Sequence, residues 1–211
     1  MNLEEFAKYI VDYCKDRNIN KLYICGNGGS GKTTLSYSIE KEACKYGNVN
    51  IISTDDFLIS TELRKNSTNK WVSDGKEYSY RYTSSNKDTY FIRNIEEIIY
   101  NIDHKVDTYY FPRYYETENN IRQLHSNYFL IVIEGVGTVF LKRENALSIF
   151  LKCNEDTERE RRAKRVKESN CDSIELYDEL RTKQFENNVL THINEFDMII
   201  NTDNDAFEII K

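Results

Sequence analysis

Eight residues near the N-terminus constrain the fold more than any others. Residues 26–33 read Gly-Asn-Gly-Gly-Ser-Gly-Lys-Thr and fit G-x-x-x-x-G-K-[ST] at every fixed position. The apolar segment 21–25 before them predicts a buried strand, and helical periodicity from Lys32 to Tyr46 predicts a helix that stops at Gly47. A glycine-rich turn between strand and helix turns backbone N–H groups toward one point, where the helix dipole also favours an anion. The motif predicts a nucleoside triphosphate site.

Each fixed residue of the motif has a mechanical role in holding a triphosphate such as ATP. Lys32 is predicted to reach the β- and γ-phosphates, and the Thr33 hydroxyl to take one position of a bound Mg²⁺. The predicted ATP-binding residues are Gly26, Asn27, Gly28, Gly29, Ser30, Gly31, Lys32, Thr33 and Thr34.

Strands and helices alternate along most of the chain. Buried strands are predicted at 21–25, 49–53, 128–134, 147–153 and 196–201, with helices at 2–17, 32–46, 89–101, 156–168 and 174–193. This alternation is typical of a three-layer α/β/α fold with a five-stranded parallel sheet. The 211 residues are expected to form one domain, with an insertion at about 60–128.

Composition excludes several classes of protein. The net charge of −6 argues against a general nucleic-acid binder. Mean hydropathy is −0.68, and no apolar run approaches the roughly 18 residues that a membrane helix needs. The acidic N-terminus is unlike a signal peptide, so a cytoplasmic protein without membrane or nucleic-acid partners is expected, with a homo-oligomer left open. The five scattered cysteines predict neither a zinc site nor disulfides.

Four stretches in chain order carry a resemblance to a known family. They are GNGGSGKTT at the glycine motif, STDDFL (53–58), IVIEG (131–135) and DTERERRAKR (156–165). On these stretches the chain resembles the uridine kinase, phosphoribulokinase and pantothenate kinase group of P-loop kinases. The resemblance implies a sheet of order 2-3-1-4-5, and transfer of the γ-phosphoryl group of ATP, with Mg²⁺, to a hydroxyl of a small metabolite.

The resemblance also implies roles for individual residues. Asp55 matches the acidic residue beside the acceptor hydroxyl, and Glu134 matches a metal-linked carboxylate. Arg162 and Arg165 match arginines of a lid helix, at about 156–170 here, that close over the phosphates. Structural alternatives remain open: Asp55 as a cap, Glu134 as a buried acid held by backbone N–H groups, and the charged run as a solvated helix with a Glu158–Arg162 pair.

The insertion is expected to hold the acceptor. It contains ten of the 16 tyrosines, whose flat faces and hydroxyl rims suit a ring bearing polar groups. The carboxylates with which uridine kinases bind a nucleoside are replaced here, by Thr83 after Tyr82 and by Tyr110 within 109–111, with Asp88 or Asp107 as substitutes. Tyr82, Tyr109 and Arg113 are the predicted acceptor-binding residues, and a nucleoside is the leading acceptor.

Two other functions remain open at this stage. The guanine-reading N-K-x-D and the switch D-x-x-G elements of GTPases are absent. A nucleoside monophosphate kinase would need arginines in the insertion, and five are available: Arg64, Arg81, Arg93, Arg113 and Arg122. The other alternative is a nucleotide-dependent binding protein without transfer chemistry, whose tyrosine-rich segment contacts a partner.

Overall fold

The structure, a computed structural model, describes residues 1–112, 121–169 and 179–211, without the side chains of 165–169. Its strands are β1 (Lys21–Gly26), β2 (Val49–Ser53), β3 (Thr68–Ser73), β4 (Lys76–Arg81), β5 (Thr108–Tyr110), β6 (Arg122–Leu124), β7 (Leu130–Glu134), β8 (Leu147–Lys152), β9 (Met198–Asn201) and β10 (Glu208–Ile209). Its α-helices are α1 (Leu3–Asp16), α2 (Lys32–Ala43), α3 (Thr61–Asn66), α4 (Ile92–Asp103), α5 (Glu155–Ser169) and α6 (Glu179–Asn188).

The central sheet has the strand order β2-β7-β1-β8-β9-β10. The first five strands run parallel, and β10 is antiparallel to β9. Numbered along the chain, the five parallel strands have the predicted order 2-3-1-4-5, which is confirmed. The predicted strand count is one too low, because β10 is a two-residue strand and too short to show periodicity.

Helices cover both faces of this sheet, which confirms the three-layer fold. Leu22 and Ile24 of β1 pack with α1 and α2 on one face. Tyr23 points to the opposite face and packs with Ile95 and Ile98 of α4. Successive residues of a strand point to opposite faces, so an apolar run such as β1 needs apolar partners on both sides.

The predicted insertion contains more regular structure than its sequence pattern indicates. The helix predicted at 89–101 is present as α4, and a short strand that the sequence predicts around 106–111 is present as β5. The hairpin of β3 and β4 was not predicted, although Asp74-Gly75 at its turn is a strong hairpin signal, with φ of +51° and +74°. Its side chains are mostly exposed, so hydrophobic alternation is weak there. In the described residues neither this hairpin nor the β5–β6 pair joins the central sheet.

The last two predicted helices differ in outcome. The charged helix is confirmed as α5, with residue 170 outside the described residues. The helix predicted at 174–193 is wrong in its last part, because α6 ends at Asn188 and residues Leu190–Glu195 form a 3-10 helix. Asn187 and Asn188 bond to each other there, and asparagine side chains compete with helical hydrogen bonding. Residues 174–178 of the prediction lie outside the described residues.

In the described parts of the chain, no helix has the length and apolarity needed to cross a bilayer.

Asn50 joins the edge strand β2 to the chain that follows β6. Its side chain is 2% exposed, donates to the His125 carbonyl at 2.8 Å and accepts from the His125 N–H at 2.9 Å. This one side chain therefore satisfies both backbone polar groups of His125, which packing would otherwise leave poorly solvated.

We expect Asn50→Ala to lower the free energy of unfolding by about 2–3 kcal/mol, because it leaves two partly buried backbone groups unpaired. Asn48→Ala is the matched control, since the exposed Asn48 side chain donates to the Asn127 carbonyl at 2.9 Å and is not buried as Asn50 is. It should cost about 1 kcal/mol or less in urea denaturation. Equal losses in the two variants would contradict this role of Asn50.

Candidate active site

The glycine motif forms a loop between β1 and α2, as predicted. Gly31 precedes α2 with a φ of +92°, and Gly29 has a φ of +84°, conformations that residues with a Cβ rarely adopt. The loop thus leads directly into the N-terminus of α2, where free N–H groups and the helix dipole favour an anion. Ser30 is fully buried, and its carbonyl accepts a hydrogen bond from the Thr202 hydroxyl at 3.1 Å.

Lys32 and Thr33 occupy the first turn of α2 beside the loop. The Lys32 ammonium donates to the Asn27 carbonyl across the loop at 2.7 Å. The Thr33 hydroxyl donates to Oε1 of Glu134 at 3.4 Å. Glu134 ends β7, and in the sheet register it lies level with Ile24 of β1 and Ser53 of β2. Parallel pairing therefore brings the predicted metal-linked carboxylate to the glycine loop.

Glu134 is a buried acid, with 5% of its surface exposed. Burial raises the pKa of its carboxyl above the usual range, and the nearby charge of Asp55 adds to this effect. The ammonium of Lys32 and the hydrogen bonds from Ser53 and Thr33 act in the opposite direction.

The donor set suits Mg²⁺ bound together with phosphates. Mg²⁺ prefers oxygen ligands and commonly takes one or two from the protein, with the rest from substrate phosphates and water. Thr33 is exposed and touches Glu134, so a hydroxyl and a carboxylate oxygen meet beside the loop. The described residues contain no cluster of three or more potential ligand side chains of the His, Cys, Asp or Glu type, which such a phosphate-dependent site does not require.

A cavity of about 630 Å³ opens beside the glycine loop. Thr33 and Glu134 line it on the loop side, and Asp55 lines it from the 3-10 turn after β2. The insertion supplies the far wall with Tyr110 and Arg122. The predicted nucleotide loop and the predicted acceptor side therefore share one cleft, at the carboxyl ends of the parallel strands.

Asp56 and Tyr110 form a hydrogen-bonded pair in this cleft. The Tyr110 hydroxyl donates to Oδ2 of Asp56 at 3.1 Å. Burial raises the pKa of the half-buried Asp56 carboxyl, while the Tyr110 hydrogen bond and the Arg122 charge lower it in part. Burial also raises the pKa of the Tyr110 hydroxyl, so it remains a donor at neutral pH.

Two of the predicted acceptor residues, Tyr82 and Tyr109, do not line this cavity. Tyr109 is 59% exposed on β5, and its neighbour Tyr110 points inward instead. Tyr82 is half-buried away from the lining residues, and Arg113 lies outside the described residues. A three-residue strand gives the sequence no signal of which tyrosine faces the cleft, so Tyr110 was missed. The acceptor roles of Tyr82, Tyr109 and Arg113 remain untested predictions.

The two carboxylates considered as substitutes lie elsewhere. Asp88 lines a separate cavity beside Phe140 and Asn187. Asp107 accepts a hydrogen bond from the Ser126 N–H at 2.7 Å, which holds its pKa below the usual range. Asp56, the residue after Asp55, lines the cleft beside it.

Helix α5, which the resemblance predicts to be a lid, lies against the glycine loop through its first turns. Arg162 is 13% exposed, forms an ion pair with Glu158 and donates to Oδ1 of Asn27 at 3.4 Å. Glu158 in turn accepts from the side-chain amide of Asn27. Arg165 belongs to α5, and its side chain is outside the described residues.

A second cavity, of about 400 Å³, adjoins the glycine loop near α1 and the end of β9. Gly29, Gly31 and Thr34 line it from the loop and α2, and Arg161 lines it from the lid helix. Thr202 and Phe207 complete its wall. The glycine motif therefore borders two cavities: this one, and the cleft of about 630 Å³ that Asp55, Asp56 and Glu134 line.

No family model and no curated protein sequence matches this chain. Among solved structures, it is similar to a candidate fructose transport system kinase from Silicibacter sp. TM1040, with a TM-score of 0.56, 14% identity, and coverage of 92% of this chain and 93% of the other. It is also similar to a possible uridine kinase from Bacillus stearothermophilus, with a TM-score of 0.50, 16% identity, and coverage of 90% and 96%. At these identities the likeness shows the fold alone. The resemblance to the uridine kinase group is therefore confirmed at that level: the chain has the fold of these small P-loop kinases.

Proposed function

We propose that this protein is an ATP-dependent kinase that transfers the γ-phosphoryl group to a hydroxyl of a small metabolite, with a nucleoside as the leading acceptor. One observation carries the proposal: Thr33 of the glycine loop, Glu134 and Asp55 line the same cavity of about 630 Å³. A phosphate-binding loop and a carboxylate that accepts a proton thus open on a space large enough for a small metabolite. A protein that only bound nucleotide would not need Asp55 in that space.

On the donor side, the backbone N–H groups of the loop and Lys32 hold the triphosphate. Lys32 exchanges its contact with the Asn27 carbonyl for phosphate oxygens, as a mobile point charge can. The second cavity, between the loop and Phe207, is the adjoining space for the nucleoside part of ATP. Thr33 and Glu134 would hold Mg²⁺, which would supply positive charge beside the phosphates.

On the acceptor side, Asp55 orients the attacking hydroxyl and receives its proton. A hydroxyl has a pKa far above 7, so a carboxylate within hydrogen-bond reach makes its oxygen a better nucleophile. Asp55 is exposed to the cleft and follows β2 at the sheet edge where Glu134 lies. Arg162 extends from α5 toward the phosphates, where its guanidinium stabilises the negative charge that develops on the transferred phosphoryl group.

The charge of the cleft favours an uncharged acceptor. Among the lining residues that the structure describes, the carboxylates of Glu40, Asp55, Asp56 and Glu134 outnumber the guanidinium groups of Arg64 and Arg122. An acceptor that already carried a phosphate would meet an excess of negative charge, which argues against a nucleoside monophosphate. The Asp56 carboxylate is held in place by the hydrogen bond from Tyr110. Its remaining lone pairs can accept hydrogen bonds from the hydroxyl groups of a ribose or a related sugar.

The first test is phosphorylation of a metabolite library. Labelled ATP is incubated with nucleosides, nucleoside monophosphates, sugars and vitamins, and products are detected by mass shift. We expect transfer to an uncharged hydroxylated compound, and a loss of several orders of magnitude in turnover for Lys32→Ala, because charge on the β,γ-bridge is no longer stabilised. Lys41→Ala, exposed near the other end of α2, is the control and should behave as wild type. Transfer to none of these compounds, or normal transfer by Lys32→Ala, would refute the proposal.

The second test separates the two neighbouring tyrosines of β5. Tyr110→Phe removes the donor to Asp56 and should raise the KM of the acceptor about tenfold or more, as expected for a hydrogen bond to a charged group, with the KM of ATP unchanged. Tyr109→Phe makes the same chemical change on the exposed side of the strand and should leave both KM values unchanged. A larger rise in the acceptor KM for Tyr109→Phe than for Tyr110→Phe would contradict this role of Tyr110 and support the role predicted for Tyr109 from the sequence.

The third test concerns the buried acid Glu134. Its folded-state pKa is raised, so at pH 8 the ionised carboxylate costs free energy in the folded protein that it does not cost in the unfolded chain. Glu134→Gln removes this cost and should raise the thermal unfolding temperature at pH 8. The difference should shrink as pH falls through the folded pKa toward the ordinary value of 4.5, because the carboxyl then becomes neutral. The same variant should lose transfer activity, and a lower unfolding temperature at pH 8 would contradict this account.

A further inference from the structure

Glu158, Arg162 and Asn27 form a cluster at the contact between the lid helix and the glycine loop, here called the lid–loop cluster. Glu158 pairs with Arg162 one helical turn later, and both side chains are 13% exposed. Glu158 also accepts from the Asn27 amide, whose Oδ1 accepts from the Gly28 N–H at 2.8 Å and from Arg162 at 3.4 Å. The Glu158–Arg162 pair that the sequence suggested on a solvated helix is therefore present, but it is half-buried and lies against the glycine loop.

The close approach of Arg162 to the loop depends on a glycine. A Cβ at Gly28 would lie 2.5 Å from Nη2 of Arg162 and 3.0 Å from its guanidinium carbon. The guanidinium thus lies directly against the loop backbone, and its position is specific. A triphosphate held by this loop comes within reach of Arg162 without a large movement of α5.

Glu158 brings a negative charge to a site that must accept an anion. Burial raises the pKa of its carboxyl, while the charges of Arg162 and Lys32 lower it, so the carboxylate is held by the same two cations that the phosphates need. A carboxylate in this position repels a triphosphate and competes with it for Arg162.

We propose that Glu158 is a resident anion of the triphosphate site, which competes with ATP for Arg162 and Asn27 and thereby sets nucleotide affinity. This inference rests on the proposed function, because it assumes that the loop binds ATP. When the phosphates enter, Arg162 exchanges the Glu158 carboxylate for phosphate oxygens. Arg162 therefore leaves Glu158 only when a triphosphate is bound. Breaking the Glu158–Arg162 pair costs free energy, which lowers the affinity of the loop for the nucleotide.

The test measures binding, so it does not depend on knowing the acceptor. Isothermal titration calorimetry follows a non-hydrolysable ATP analogue with Mg²⁺, and separately inorganic triphosphate, into the wild-type protein and Glu158→Gln. Glutamine keeps the size of the side chain and its hydrogen bond to Asn27 but removes the charge. We expect both probes to bind about five- to tenfold more tightly to Glu158→Gln, as the loss of one close like charge predicts.

Glu155→Gln is the matched control, because it makes the same charge change in the first turn of α5. Glu155 is 68% exposed, and its contact is with Arg159 at 3.8 Å rather than with the loop. It should bind both probes as the wild type does. Thermal unfolding of each variant establishes that it is folded before binding is compared.

A double-mutant cycle tests whether Glu158 acts through Arg162. Arg162→Gln should weaken binding of both probes, and the gain from Glu158→Gln should be smaller in the Arg162→Gln background. Unchanged or weaker binding by folded Glu158→Gln would overturn the inference and leave Glu158 as a group that only orients Asn27 and Arg162. Failure of the wild type to bind either probe would instead overturn the proposed function, and this inference with it.

Discussion

The parallel pairing of β7 between β1 and β2 is the constraint on which the rest of the site depends. In this register the last residue of β7, Glu134, lies level with Ile24 of β1 and Ser53 of β2. The chain leaves β1 as the glycine loop and leaves β2 as the turn that contains Asp55. Three groups that are far apart in sequence therefore meet at one sheet edge, with no side chain needed to steer them.

Elements of the fold could be predicted from the sequence wherever a single strong physical requirement determines the local structure. Fully buried strands must be apolar along their length, so β7 and β8 were predictable, and the glycine motif could serve only between a strand and a helix. The strand order came from resemblance, since periodicity does not report which strands are neighbours. Where burial is partial the demand weakens: the exposed hairpin of β3 and β4 was missed, and nothing in 108–110 distinguished Tyr109 from Tyr110.

Side-chain contacts between distant segments were the least predictable part of the site. Glu158 and Arg162 at i,i+4 spacing are typical of a surface pair, and their sequence spacing is the same whether the helix faces water or the glycine loop. Only the packing of α5 against the loop decides between the two, and α5 has no apolar stripe that would have revealed a buried face. Asp56 was overlooked for a similar reason, because its partner Tyr110 lies 54 residues away.

The neighbouring arginines of α5 show how one charged run divides into separate tasks. Consecutive helical residues point about 100° apart, and Arg161 and Arg162 contact different groups of the loop. Arg161 donates to the carbonyls of Gly29 and Thr202 at 3.2 and 2.6 Å and pairs with Asp205 at 3.0 Å. These contacts tie the lid helix to the loop and to the chain after β9, whereas Arg162 is held by a carboxylate that phosphate can replace. In the exchange proposed for Arg162, the contacts of Arg161 would keep the base of α5 attached to the loop while Arg162 changes partner.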